Sequence, residues 1–276
     1  MQSLVSPSEQ QKFEVVRACK GLVIVDPPLD GERNMAIDEA LLQNARPDWP
    51  IVLRIYKWDR PTLSLGHFQR IEDRNQYPRL SELPWVRRKT GGGAIVHDQE
   101  ITYSVLLPNR VGLTSKGHNE SLYRDIHLSF ANMLSSLGWE TGLSESCTCA
   151  TVEQRNSEPF LCFLRRSPVD LIVGQDKILG SAQRRSKSGL LQHGSFLLRA
   201  AQSTPELVGL LETKRNLISF ENLRDYWMNG ASNIVLENKD TSSQADPWVE
   251  LSIAAIAAGL AKRVDVEWQN GTMNDL

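Results

Sequence analysis

Two glycine-containing segments carry residue types that could bind a ligand. In the first, RRKTGGGAIVHD at 87–98, three consecutive glycines let the backbone pass close to a bound molecule, and their amides can form an anion-binding concavity beside basic side chains. In the second, GQDKILGSAQRR at 174–185, Lys177 lies on a predicted strand and Gly180 permits close backbone approach. The structural alternatives are a glycine-rich hairpin turn and a solvated strand-end lysine.

Cys162 is a third candidate, because a cysteine thiolate is a nucleophile. It lies in the apolar run PFLCFLRR, where an inert core cysteine is the alternative interpretation. Cys147 and Cys149 have Cys-x-Cys spacing, but a structural zinc site needs two further ligands, and no neighbouring His or Cys pair supplies them. The sequence therefore predicts no metal centre, and Cys149 is the weaker candidate nucleophile.

The composition is that of an ordinary globular chain. Hydrophobic residues make up 41% and charged residues 23% of the 276 residues, and the formal net charge is -2. This balance removes the strongest reason to expect a nucleic-acid-binding protein. Four cysteines are too few for a disulfide framework, no signal peptide is recognisable, and the most apolar window, 251–261, is too short to span a bilayer. We expect a cytoplasmic protein that does not bind membranes.

Hydrophobic periodicity predicts two long helices that must position these residues. They lie at 34–45 and 119–138, where apolar residues recur along one stripe. Short β-type runs separated by Gly and Pro predict strands, and the close spacing of the five runs between 51 and 108 favours antiparallel pairing among them. These runs are 22–26, 51–58, 62–68, 85–90, 91–98, 101–108, 169–174, 177–183 and 189–198.

The remaining segments complete a single mixed α/β domain. Residues 141–159 lack a sustained period and are typical of a long loop. The chain from Pro205 onward is predicted to be helical apart from the polar break at 238–246. We therefore predict an N-terminal arm at 1–20 and one catalytic domain at 21–276 without a separate accessory domain.

Four segments, in order, resemble the catalytic domain shared by lipoate-protein ligases, biotin ligases and octanoyltransferases. They are NMAIDEALL, LRIYKWDRPTLSLGHFQ, RRKTGGGAIVHDQEITYSV and GQDKILGSAQRRSKSGLLQHGSFLL, within residues 21–200. The chain is most similar to the LipM-type octanoyltransferases. The resemblance implies an α/β fold with mixed, largely antiparallel sheets flanked by helices.

The resemblance also assigns roles to individual residues. Cys162 stands where this family has its nucleophile, 15 residues before Lys177, which would be its basic partner. The oxyanion donors would be backbone amides of either 180–182 or 91–93. The expected substrate-binding residues are Arg87, Gly91, Gly92, Gly93, His97, Gly180, Ser181, Ala182, His193 and Gly194. Two places depart from the family pattern, Gly93 and the run 163–167, so either the pocket or the acyl donor is expected to differ.

The implied function is octanoyl transfer from octanoyl-acyl carrier protein to a lysine of a lipoyl domain, with the glycine-cleavage H protein as the first candidate acceptor. Neither ATP nor a metal is implied. Both partners are typically acidic, so the basic runs 87–89 and 184–187 would serve as docking patches. The alternatives are an ATP-dependent lipoate-protein ligase with an acyl-adenylate held by Lys177, an amidotransferase acting between lipoyl domains, and a non-catalytic binding module that has kept the fold.

Overall fold

A computed structural model describes residues 21–109, 118–144, 158–213, 268–269 and 272–273. The predicted arm at 1–20, Cys147, Cys149 and the predicted helix around 251–261 lie outside these ranges. Because residues 214–267 also lie outside them, the single domain at 21–276 stays a prediction. None of the described helices is long and apolar enough to cross a membrane.

Twelve strands form three sheets in the described ranges. The strands are β1 (Gly21–Val25), β2 (Ile51–Tyr56), β3 (Thr62–Leu65), β4 (Trp85–Arg87), β5 (Ile95–His97), β6 (Glu100–Pro108), β7 (Gly142–Leu143), β8 (Leu171–Val173), β9 (Asp176–Arg185), β10 (Gly189–Leu197), β11 (Trp268–Gln269) and β12 (Thr272–Met273). The large sheet has the order β1-β2-β6-β10-β9-β8-β7, the second sheet has the order β4-β3-β5, and β11 pairs with β12. The sheets are mixed and largely antiparallel, as the sequence predicted.

Two helices cover the large sheet, and both were predicted. Helix α1 (Gly31–Asn44) begins at Asp30, whose carboxylate accepts a hydrogen bond from Arg33 N at 2.9 Å. Helix α2 (His118–Ser136) packs Phe130 and Leu134 against the sheet. A third helix, α3 (Leu210–Thr213), is a single turn.

Strand alternation divides the core around the large sheet. Along β2, Leu53 and Ile55 belong to the cluster that includes helix α2 residues, whereas Val52 belongs to the cluster of helix α1. The second sheet has its own apolar cluster, which includes Leu63 of β3 and Phe160 and Leu161 just before Cys162. This packing joins the Cys162 segment to the second sheet.

Two predictions about the elements were wrong. The pair β3–β4 is parallel, although close spacing had favoured antiparallel pairing among the runs between 51 and 108. The stretch from Pro205 onward is not wholly helical, because 205–209 form turns and loops and β11 pairs with β12. Strand direction depends on packing between distant segments, so local periodicity does not determine it.

Candidate active site

Cys162 begins a 3-10 helix, Cys162–Leu164, at the border between the two larger sheets. Its backbone is fixed because Cys162 N donates to Ala94 O and Ala94 N donates to Phe160 O, both at 2.8 Å. Gly93 lies against the same backbone, and a Cβ there would stand 2.8 Å from both Cys162 Cα and Cys162 N. The glycine therefore allows the second sheet to approach the cysteine.

Lys177 lies beside Cys162, although the two residues come from different elements. Its ammonium on β9 is 3.9 Å from Cys162 Sγ and 3.3 Å from Cys162 O. The ammonium also pairs with the Asp170 carboxylate at 2.8 Å, and both residues are buried, with 5% and 3% of their surface exposed. The alternative of a solvated strand-end lysine is wrong, because Lys177 lies inside the protein.

Gly180 makes the space that the lysine occupies. A Cβ on Gly180 would lie 2.6 Å from Lys177 Cε and 2.9 Å from Lys177 Nζ. The close approach predicted at Gly180 therefore takes place, and the approaching group is the Lys177 side chain.

A cavity opens beside Cys162, and the space between its walls, including the part that is open to solvent, is about 400 Å³. It is lined by Met35, Tyr56, Arg88, Gly91, Gly92, Ile95, His97, Thr102, Cys162, Gly180, Ser181, Ala182, His193, Gly194 and Ser195. These residues come from helix α1, from both larger sheets, from the loop before Ala94 and from the 3-10 helix that begins at Cys162. The cavity therefore forms only when the two sheets and helix α1 have packed together.

Arg88 forms one wall of this cavity. Its Nη1 donates to Ser64 O at 2.8 Å, and its Nη2 donates to Gly93 O at 2.7 Å and to Gly91 O at 3.4 Å. Burial lowers the pKa of Arg88 to about 10, although the neighbouring Cys162 acts in the opposite direction. Because the carbonyls of the glycine loop accept from Arg88, the loop holds a cation at this point.

His97 belongs to a buried hydrogen-bonded chain behind Arg88. Its Nδ1 lies 2.8 Å from Glu100 Oε1, and its Nε2 lies 2.6 Å from Ser64 Oγ. Burial lowers the pKa of His97 more than Glu100 raises it. The neutral ring then donates from Nδ1 to Glu100 and accepts from Ser64, which also accepts from Arg88.

His193 is held in the same way on the other side of the cavity. Its Nδ1 lies 3.1 Å from Asp38 Oδ2, and its Nε2 lies 2.7 Å from Thr90 Oγ1. Burial acts to raise the pKa of Asp38, but the hydrogen bond with His193 and the charge of Arg54 outweigh it and hold this pKa below its usual value. The Asp38 carboxylate therefore orients His193 towards the cavity.

A third histidine, His127 of helix α2, contacts the site through Ser181. His127 Nδ1 donates to the Val169 carbonyl, so Nε2 accepts from Ser181 Oγ at 2.6 Å. Ser181 Oγ in turn lies 2.5 Å from the Tyr103 hydroxyl. Burial lowers the pKa of His127 to about 4, and the nearby Lys177 charge acts in the same direction. The Ser181 side chain is thus anchored to neutral partners.

The structure brings most of the predicted site residues together. All of them line the cavity except Arg87, Gly93 and Lys177. Gly93 and Lys177 contact Cys162 instead, as described above. Arg87 lies elsewhere, because its Nη1 donates to the carbonyls of Gly66, His67 and Gln69. Whether the lining residues bind substrate stays a prediction, and Arg87 serves to hold the loop after β3.

Sequence reasoning missed Asp170 and misassigned Arg88. Asp170 stands between Val169 and Leu171, and an acid within an apolar run is a signal that could have found it. Arg88 was assigned to a docking patch, but only 3% of its surface is exposed. Adjacent residues of an extended chain point to opposite sides, so Arg87 and Arg88 cannot both face the cavity. Within the described ranges, no group of His, Cys, Asp or Glu is arranged to hold a metal ion.

Known proteins resemble this chain in sequence. The model of the lipoyl protein ligase A/B catalytic domain matches residues 30–223. Proteins named octanoyltransferase LipM are 32% identical in Brevibacillus brevis, over 91% of this chain and 90% of the relative, and 34% identical in Bacillus anthracis, over 85% and 82%. The chain therefore belongs to the lipoyl protein ligase A/B catalytic family and, within it, to the group of the LipM octanoyltransferases.

Solved structures support the fold. A bi-partite lipoate protein ligase from Thermoplasma acidophilum, described with its E2 lipoyl domain, has a TM-score of 0.61 and 19% identity, over 89% of this chain and 92% of that chain. A lipoate-protein ligase A with bound ATP has a TM-score of 0.58 and 20% identity, over 89% and 93%. At these identities the likeness shows the fold alone.

Proposed function

We propose that this chain transfers an octanoyl group from octanoyl-acyl carrier protein to a lysine of a lipoyl domain, through a thioester on Cys162. The observation that carries the proposal is a thiol 3.9 Å from a buried lysine ammonium, at the edge of a cavity. The relatives named octanoyltransferase LipM support the identity of the acyl group. The glycine-cleavage H protein is the first candidate acceptor.

Two half-reactions account for the transfer. In the first, Cys162 Sγ bonds to the acyl carbon and the donor carbon–sulfur bond breaks, which releases the carrier thiol. In the second, the acceptor amine bonds to the same carbon and the bond between that carbon and Cys162 Sγ breaks. The proton that the amine loses is balanced by the proton that the Cys162 sulfur gains. Dividing the transfer in this way replaces one difficult step by two easier ones. Lys177 is within reach of Cys162 Sγ and would move the protons.

The oxyanion of each tetrahedral intermediate needs hydrogen-bond donors. Ser186 N donates to Gly189 O at the turn between β9 and β10, so the amide of Ser186 points towards β10. Along an antiparallel strand every second amide points to the same neighbouring strand. The amides of Gly180 and Ala182 therefore point towards β10. The amide of Ser181 points to the opposite edge of β9, beyond its pairing with β8. We propose that this amide is an oxyanion donor.

This chemistry requires neither a nucleotide nor a metal ion, because a thioester donor is already activated. The test is intact-protein mass spectrometry after mixing the protein with octanoyl-acyl carrier protein in the absence of ATP. We expect a gain of one octanoyl group in the wild type and in Cys149→Ser, and no gain in Cys162→Ser. Addition of a lipoyl domain should then remove the group from the enzyme and place it on the domain.

Three other outcomes would overturn the proposal. Transfer that needs free octanoate and ATP would identify an ATP-dependent ligase, with Cys162 a bystander. Acylation by an octanoylated lipoyl domain but not by octanoyl-acyl carrier protein would identify an amidotransferase. Binding of the donor without any transfer would identify a non-catalytic module.

A further inference from the structure

The Lys177 ammonium has a carboxylate partner that the two half-reactions do not use. Asp170 Oδ2 lies 2.8 Å from Lys177 Nζ and also accepts from Ser167 N at 2.7 Å. The Asp170 backbone is fixed as well, because its N–H donates to Ser167 O and its carbonyl accepts from Ser144 N. The Asp170 carboxylate is therefore held against Lys177 Nζ, the atom that also contacts Cys162.

The pairing changes the charge that Cys162 experiences. A lone buried ammonium would be strongly disfavoured and would also strongly attract a thiolate. Paired with Asp170, the ammonium is stable and the pair is neutral as a whole. The Cys162 thiol therefore faces the Lys177 ammonium as a proton donor, and the Asp170 carboxylate balances the charge of that ammonium.

Other titratable groups approach the trio of Cys162, Lys177 and Asp170 from the elements that pack against it. Helix α2 contributes His127, whose pKa is lowered partly by the Lys177 charge, and Tyr123, whose pKa burial raises to about 12. The segment after Cys162 contributes Arg166, which acts on Asp170, and the cavity wall contributes Arg88, which interacts with Cys162. His127 and Tyr123 are neutral. Among these four groups, Arg166 and Arg88 are therefore the charged neighbours of the trio.

We propose that Asp170 is a positioning residue that keeps Lys177 protonated beside Cys162, so that Lys177 acts as a proton shuttle whose charge is the same before and after each half-reaction. This inference rests on the proposed function. In the first half-reaction two proton transfers are coupled: the Lys177 ammonium gives a proton to the carrier sulfur as the carbon–sulfur bond breaks, and the proton of the attacking Cys162 thiol passes to the Lys177 nitrogen. In the second Lys177 gives a proton to the leaving Cys162 thiolate and takes one from the attacking amine.

The burial of Asp170 agrees with this role. Burial raises the pKa of Asp170 more than the Lys177 charge lowers it, so the carboxylate depends on the ammonium for its stability. The ion pair of 2.8 Å thus holds the two opposite charges together inside the protein. Removal of the Asp170 charge should make the Cys162–Lys177 pair lose a proton at lower pH, whichever of the two groups releases it.

The test is the pH dependence of Cys162 alkylation by iodoacetamide, followed by mass spectrometry of the Cys162 peptide. In Asp170→Asn we expect the midpoint to move to lower pH by about one unit or more relative to the wild type. Asp170→Glu should restore most of the wild-type midpoint. Asp176→Asn is the matched control, because Asp176 precedes Lys177 but is not among the described groups that contact its ammonium. If Asp170→Asn does not fold, Asp170→Ser removes the same charge with a smaller side chain.

A second measurement connects the shift to catalysis. The alkaline limb of the pH profile for acyl-enzyme formation should move in Asp170→Asn by the same amount as the alkylation midpoint. An unchanged midpoint, or an equal shift in Asp176→Asn, would overturn the role of Asp170. Failure of the wild type to become acylated would overturn the proposed function. The alkylation result does not depend on that outcome, because alkylation needs no acyl donor.

Discussion

At the scale of single residues, each histidine of the site is held in one orientation by a specific neighbour. His97 donates to Glu100, His193 is oriented by Asp38, and His127 is fixed by the Val169 carbonyl. A ring fixed in this way costs no reorganisation when a substrate binds. His97 and His193 were predicted from the sequence as pocket residues, whereas His127 was not, since its partners lie on other elements.

His127 makes the protein sensitive to acid. Its pKa of about 4 lies below the ordinary value near 6.5, so the unfolded chain binds more protons than the folded protein between these pH values. The free energy of unfolding should therefore fall as pH decreases through this window. From pH 7 to pH 5, His127 should account for a loss of about 2 kcal/mol.

His127→Gln tests this contribution by urea unfolding at both pH values. We expect the variant to be less stable than the wild type at pH 7, because a buried hydrogen-bond partner changes, but to lose about 2 kcal/mol less between pH 7 and pH 5. His67→Gln is the control, because His67 is exposed. Equal losses in the wild type and His127→Gln would contradict the assignment of a neutral buried His127.

At the scale of elements, the site depends on how β9 passes the Cys162 segment. The register between β8 and β9 shifts between Leu171 and Ile172, so pairing moves from Leu179 to Lys177. This irregularity lies at the point where β9 contributes Lys177. Helix periods and glycine segments were visible in the sequence, whereas a shift in register arises from contacts between strands and has no local pattern.

Gly180→Ala tests whether β9 needs this glycine to seat Lys177. The new Cβ would meet the flexible end of the Lys177 side chain, which must move away from Cys162. We expect acyl-enzyme formation to slow by about tenfold or more, since proton transfer by a positioned group contributes at least that much. The free energy of unfolding should fall by only about 1–3 kcal/mol.

Gly142→Ala is the matched control, because a Cβ there meets nothing within 4 Å. It should leave both the rate and the stability close to those of the wild type. Rapid acyl-enzyme formation by Gly180→Ala would show that Lys177 does not need its present position. Stopped-flow measurement of carrier thiol release and urea unfolding provide the two readouts.

At the scale of the whole molecule, the cavity is a product of packing between layers. Its walls come from helix α1 and from two sheets that are separate in hydrogen bonding. The resemblance to a known family could place Cys162 and Lys177, because the order of motifs is preserved along the chain. Asp170 and Arg88 could not be placed in the same way, since their roles depend on which side chains become buried together.

The formal charge of -2 is small, so attraction of the proposed acidic carrier would depend on local basic surface rather than on the net charge. Arg184 and Arg185 are exposed at the end of β9, and alternation places Arg184 on the same face as the cavity residue Ala182. Both arginines of this hairpin end are exposed, unlike the buried Arg88, so it is a candidate docking patch.

Arg184→Ala combined with Arg185→Ala should raise the KM for octanoyl-acyl carrier protein by about fivefold, because two exposed ion pairs together contribute about 1 kcal/mol. The KM for octanoyl-N-acetylcysteamine, an uncharged small thioester, should not change. Raising the salt concentration from about 0.1 M to about 0.5 M should reduce the difference between the variant and the wild type in the KM for octanoyl-acyl carrier protein. Arg79→Ala is the control, since Arg79 is exposed and precedes β4. Equal effects on both donors, or an equal effect of Arg79→Ala, would place carrier docking elsewhere on the surface.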